Sequence, residues 1–106
     1  MVSQEDICDP ALPEGLLQVD VKDRLGQPLP GIEITVTWNV GEERFFTGLQ
    51  PEISAGYADF IMRAATKYSV RVARTGVPIS DLAAPVCPGT GEQSHLGGLE
   101  LTFREP

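Results

Sequence analysis

The sequence is short of most residues that metal and nucleophile chemistry needs. It holds one histidine, His95, one asparagine, Asn39, and two cysteines, Cys8 and Cys87. With no C-x-x-C pair and a single histidine, a structural zinc site lacks ligands. There is no G-x-S-x-G elbow, so Ser80, Asp81, Ser94 and His95 read as polar loop residues rather than a nucleophile with its base and orienting group. Gly89-Thr90-Gly91 lacks the following Lys-Ser or Lys-Thr of a phosphate loop. No apolar run approaches the roughly 20 residues of a membrane helix, so no membrane insertion is expected. Basic charge is scarce too: eight Lys and Arg face fifteen Asp and Glu, a formal charge of −7. That balance argues against a phosphate-binding surface and hence against nucleic acid as a partner. The sequence therefore implies no catalytic residue, no cofactor and no metal site. The acids Glu5, Asp6 and Asp9, and the pair Glu42 and Glu43, form no D-x-D-x-D-G loop and read as surface charge.

What the chain does have is turn formers and alternation. Its 106 residues, 42% of them hydrophobic, make one domain, and eleven glycines and nine prolines favour turns over long helices. Residues 1–14 are acidic and Pro-punctuated, a lead-in tethered through Cys8, and residues 15–106 form the domain proper. Leu17, Val19 and Val21 alternate with Gln18, Asp20 and Lys22, the pattern of a half-buried strand. Ile32, Ile34, Val36 and Trp38 share a face in the next strand, with Glu33, Thr35, Thr37 and Asn39 opposite. Asn39 to Glu42 is a turn, and Arg44 to Thr47 a short strand. Ala58, Phe60 and Met62 are in phase, as are Tyr68, Val70 and Val72, and Leu99, Leu101 and Phe103. Residues 75–98 form a long loop, with Ile79 to Ala84 as an edge strand or a helical turn. Six strands, with a seventh from that loop, spaced about ten residues apart with turn signals between, indicate an all-β antiparallel sandwich.

Cys8 and Cys87 are expected to form a disulfide, the alternative being two separate free thiols. The bond would close a loop of nearly eighty residues and place the domain in an oxidising compartment. Met1 is followed by Val2-Ser3-Gln4-Glu5-Asp6 rather than by a basic and then apolar leader, so an extracellular location implies one module of a longer secreted chain.

The stretch Val19-Asp20-Val21-Lys22-Asp23 through Gly26-Gln27-Pro28-Leu29-Pro30-Gly31-Ile32-Glu33-Ile34 resembles the opening hairpin of carboxypeptidase-regulatory-like domains, relatives of transthyretin-like and bacterial Cna-B-type sandwiches. Those families show V-x-D-x-x-G-x-P-L-P-G-V-x-V here. Gly56 to Phe60 and Lys67-Tyr68-Ser69-Val70-Arg71-Val72 are similar to two later strands, so the resemblance covers residues 16–73. Ala64-Ala65-Thr66 stands where the family has Pro-Gly, and the cysteines and the 75–98 loop lie outside its pattern. The resemblance implies an immunoglobulin-like or transthyretin-like Greek-key sandwich of about seven strands. It also implies an accessory or spacer module of a secreted or cell-surface bacterial protein, whose partners are the neighbouring domains. The isopeptide bond of some Cna-B-type domains is not expected: Lys22 falls on a polar face, and the last strand has no asparagine.

Aromatic residues supply the alternative reading, a carbohydrate- or peptide-binding module. Phe45 and Phe46 are adjacent, so only one can point inward. Tyr57 falls on the face opposite Phe60. With the outward phenylalanine and the 75–98 loop, Tyr57 would make a stacking patch for sugar or a surface protein.

Overall fold

The computed structural model describes residues 2–73, 76–89 and 94–105. Among them the chain is all β, with no helix and ten strands. They are β1 Val2–Ile7, β2 Leu16–Lys22, β3 Glu33–Trp38, β4 Gly41–Phe46, β5 Tyr57–Ile61, β6 Tyr68–Val72, β7 Ile79–Leu82, β8 Val86–Pro88, β9 Ser94–Leu96 and β10 Gly98–Arg104. Two open four-stranded sheets carry the fold, in the orders β1-β10-β2-β5 and β4-β3-β6-β7, and β8 pairs with β9 in a small third sheet.

The alternating residues meet in one hydrophobic cluster. Leu17, Val19, Val21, Ala58, Leu99 and Leu101 enter it from the first sheet, and Ile34, Val36, Tyr68, Val70 and Leu82 from the second. Each of these strands keeps period two because one side of its sheet is apolar and the other is not. At the rim of the cluster the rings of Trp38, Phe60 and Tyr68 lie 5.7–5.8 Å apart, centre to centre. The Phe45 ring stacks on Phe60 at 6.1 Å and so joins the edge strands of the two sheets.

Four features depart from the sequence expectations. First, the pairing of β10 with β2 is parallel, whereas the other strand pairs are antiparallel. A parallel pair needs a long connection, and here the whole second sheet lies between the two strands in sequence. Second, the lead-in 1–14 is not merely a tether: Val2 to Ile7 pairs residue by residue with Phe103 to Gly98. Ser3, Gln4, Glu5 and Asp6 are exposed, so this strand is held by backbone bonding and shows no apolar period. Third, the 75–98 stretch contains three short strands: β7, an edge strand rather than a helical turn, then β8 and β9. Fourth, only Asn39 and Val40 form the β3–β4 turn, since Gly41 and Glu42 already belong to β4.

Cys8 and Cys87 are bonded to each other, and no described cysteine is free. Strand direction then gives the molecule two unlike poles. One pole holds the disulfide, the β8–β9 hairpin and the loop after β1. The other holds the β2–β3 and β4–β5 connections and both described chain ends. There Val2 lies beside Phe103, and the Glu105 N–H donates to the Lys22 carbonyl at 2.9 Å.

Candidate interaction surfaces

At the pole of the chain ends, a single threonine joins two connections. Thr47 is 2% exposed. Its hydroxyl donates to the Leu29 carbonyl at 2.6 Å and accepts from the Ile32 N–H at 3.0 Å. Its backbone N–H donates to the Ile32 carbonyl, and its carbonyl accepts from Gly31 N–H. The β2–β3 connection is further shaped by Asp23, whose carboxylate accepts from the N–H groups of Leu25 and Gln27. Gly26 and Gly31 have φ of 84° and 74°, the left-handed conformation that the Gly-x-Pro-Leu-Pro-Gly stretch requires. Gly48 packs on Pro30 and sends its N–H to the Tyr57 carbonyl. Both connections are thus fixed by internal hydrogen bonds. They carry exposed Leu25, Leu49 and Ile53, next to Phe46 at the end of β4. Sequence reading missed Thr47, because a threonine before a Gly-Leu-Gln-Pro loop looks like any strand end.

The three aromatic candidates do not come together. Phe46 is 45% exposed on the outer face of the second sheet, opposite Glu33 in the ladder. Phe45 points the other way, onto Phe60. Tyr57 is on the face opposite Phe60, as its phase requires, but it is buried rather than exposed. Its hydroxyl donates to Asp59 at 3.0 Å and accepts from the Gln18 amide at 3.3 Å. Both partners stand on the same face, so bonding to them lays the ring along the strands instead of out into solvent. Burial raises the Tyr57 pKa; the Gln18 bond opposes that rise, and the bond and charge of Asp59 reinforce it.

The opposite pole has a cleft lined by Cys8, Pro10, Leu12, Glu14, Pro88, Gly89, Ser94 and His95. The Glu14 carboxylate accepts from the Leu96 N–H, which ties the 8–15 segment to β9. Gly97 lies beneath the disulfide: a Cβ there would stand 2.4 Å from Cys87 Sγ. The other polar candidates are scattered. Ser80 bonds Ser69 on the outer face of the second sheet, and Asp81 sits beside it at φ 60°. Ser94 and His95 belong to β9 on another sheet, so these four residues make no triad. Thr90 and Gly91 lie outside the described residues. Glu5 and Asp6 alternate on β1, as Glu42 and Glu43 do on β4. Among the described residues no three His, Cys, Asp or Glu are grouped to hold a metal ion, and no helix is long and apolar enough to cross a membrane. Among the described residues three buried polar atoms lack a partner: Asp20 Oδ1, Arg71 Nε and His95 Nε2. They lie on β2, β6 and β9 and do not converge.

No protein-family model and no curated protein matches the chain. Among solved structures it is similar to the dioxygenase domain of a dioxygenase carbohydrate-binding protein fusion from the cellulolytic bacterium Streptomyces sp. SirexAA-E. The identity is 17%, the alignment covers 92% of this chain and 82% of that one, and the TM-score is 0.40. A likeness at that level supports no conclusion about fold class or activity.

Proposed function

We propose that the chain is a non-catalytic interaction module of a larger secreted or cell-surface bacterial protein, built as an immunoglobulin-like or transthyretin-like Greek-key sandwich. The observation that carries this reading is the Cys8–Cys87 bond, which joins residues 79 apart and persists only where thiols are kept oxidised. The resemblance of residues 19–34 to the opening hairpin of carboxypeptidase-regulatory-like domains supports the sandwich, as does a hydrophobic cluster fed by both sheets. An accessory role is favoured over a spacer role. A spacer strung end to end takes the chain in at one pole and releases it at the other, whereas here Val2 and Phe103 are ladder partners. The carbohydrate- or peptide-recognition reading loses support from the burial of Tyr57 and the stacking of Phe45, which leave Phe46 alone.

The test is thiol trapping with fractionation of the producing cell. The expected result is recovery in the surface or secreted fraction with both cysteines resistant to alkylation until reduced. Recovery from the cytosol with two free thiols would overturn the reading.

A further inference from the structure

The strand at one edge of the first sheet is held by a backbone ladder and by a covalent bond at its end. β1 pairs with β10 alone. Ser3, Gln4, Glu5 and Asp6 are exposed, so they bury little that would offset their ordering entropy. Glu5 also stands directly opposite Glu100, and like charges facing each other across a ladder weaken it. Against this, the chain runs straight from Ile7, opposite Gly98, into Cys8 and its bond to Cys87. That bond fixes the end of β1 beside the start of β10. The two cysteines are not equally open. Cys8 is exposed and lines the cleft at this pole, whereas Cys87 is 0% exposed and lies against Gly97. A reductant therefore meets Cys8 first, because access selects the sulfur attacked.

We propose that the Cys8–Cys87 bond is a redox latch on β1: reducing it releases that strand while the rest of the domain stays folded. The reductant is a dithiol. One of its thiolates attacks Cys8 Sγ, the bond between the cysteines breaks, and Cys87 leaves as a thiolate that takes up a proton. The second thiolate attacks the reductant's own sulfur in the mixed disulfide, and Cys8 leaves as the other thiol. Two electrons have passed from the dithiol, which ends as a disulfide. The nearest hydrogen bonds that then tie the segment after β1 to the fold are those of Glu14 to Leu96 N–H and of Gly15 N–H to the Gly97 carbonyl. The core does not need β1. Its hydrophobic cluster is drawn from the other strands of both sheets, and no described β1 side chain belongs to it. Release is therefore a local opening, and it uncovers the β10 edge that β1 had capped. The latch rests on the bond and the ladder alone, so its failure would leave the module reading untouched.

The test is hydrogen exchange of the 106-residue chain, oxidised and in dithiothreitol. Reduction is expected to speed exchange about tenfold or more across Val2–Ile7 and at the β10 amides turned toward β1. The β10 amides turned toward β2, and the amides of β3 and β6, should keep their protection. Reoxidation should restore slow exchange in β1. Cys8→Ser with Cys87→Ser should exchange like the reduced chain, with or without dithiothreitol. A β1 that stays as slow after reduction as before it would overturn the latch, because the ladder alone would then hold the strand. Protection lost in β3 and β6 together with β1 would overturn it too, because the bond would then staple the whole fold.

Discussion

The two poles of this domain hold their loops by different means. At one pole a covalent bond crosses from Cys8 to Cys87, over strands of three residues that bury little. At the other pole no covalent bond is available, and the connections are locked by the Thr47 hydroxyl, the Asp23 carboxylate and glycines at positive φ. The difference follows from what each segment can bury. The described residues of the 83–97 stretch put few side chains into the core and offset little of their ordering entropy by apolar burial. A cross-link that restricts the unfolded chain does that instead. The 23–32 and 47–56 connections are anchored at both ends in core strands, and they need only their turns to be satisfied. One pole is thus ordered through the unfolded state and the other through native hydrogen bonds.

The comparison breaks if the disulfide is not the larger contributor. Removing it, by reduction or by Cys8→Ala with Cys87→Ala, should cost about 4–5 kcal/mol in the chain-entropy picture for this loop length. Urea unfolding with and without reductant measures that cost. Hydrogen exchange should then rise first in β8, β9 and the 8–15 segment, and last at Thr47. Next in size is Thr47→Val. It keeps the shape and removes the hydroxyl, leaving the Leu29 carbonyl and the Ile32 N–H unpaired in a buried site, at a cost of about 2–3 kcal/mol. Combining Thr47→Val with reduction sharpens the contrast: independent poles require the two losses to add within about 0.5 kcal/mol. Gly97→Ala tests the covalent pole from inside. Its new Cβ would stand 2.4 Å from Cys87 Sγ and 2.7 Å from the Ile7 carbonyl, so a loss of about 1–3 kcal/mol is expected. Once Cys87 is replaced by alanine the same substitution should cost less, because one of the two clashes is gone.

The sequence shows these poles unequally. The core strands were legible because Leu17, Val19 and Val21, or Tyr68, Val70 and Val72, alternate strictly, and burial on one face is what alternation records. β1 was not legible, because Ser3 to Asp6 put no side chain into the core and only the backbone of β10 holds them. β8 and β9 are too short to show a period. The disulfide was legible from cysteine count alone, since the chain has one possible pair. The Thr47 clamp was not, because its partners are backbone groups 15 and 18 residues away and leave no side-chain signature. Tyr57 marks the limit of the alternation rule itself. Phase predicts which face a side chain takes, but whether it lies in solvent on that face depends on partners such as Gln18 and Asp59.

Tyr57 also gives the smallest effect, and one confined to a single pole. It sits at the start of β5 and shares a backbone bond with Gly48, so its titration reports on the clamped connections rather than on the disulfide. Its pKa is raised in the folded state, first by burial. Below about pH 10 the phenol is protonated in both the folded and the unfolded chain, and stability does not depend on pH through this group. Above that pH the unfolded chain gives up its phenolic proton before the folded chain does. The unfolded state is then favoured, and stability falls as pH rises through the folded pKa. Denaturation midpoints measured from pH 8 to about pH 11 should therefore decline, and the decline should be shallower in Tyr57→Phe. Reduction of the disulfide should lower every midpoint without changing that difference in slope. If reduction instead abolished the Tyr57 contribution, the poles would be coupled through the sheet, and the division between a covalent pole and a hydrogen-bonded pole would fail.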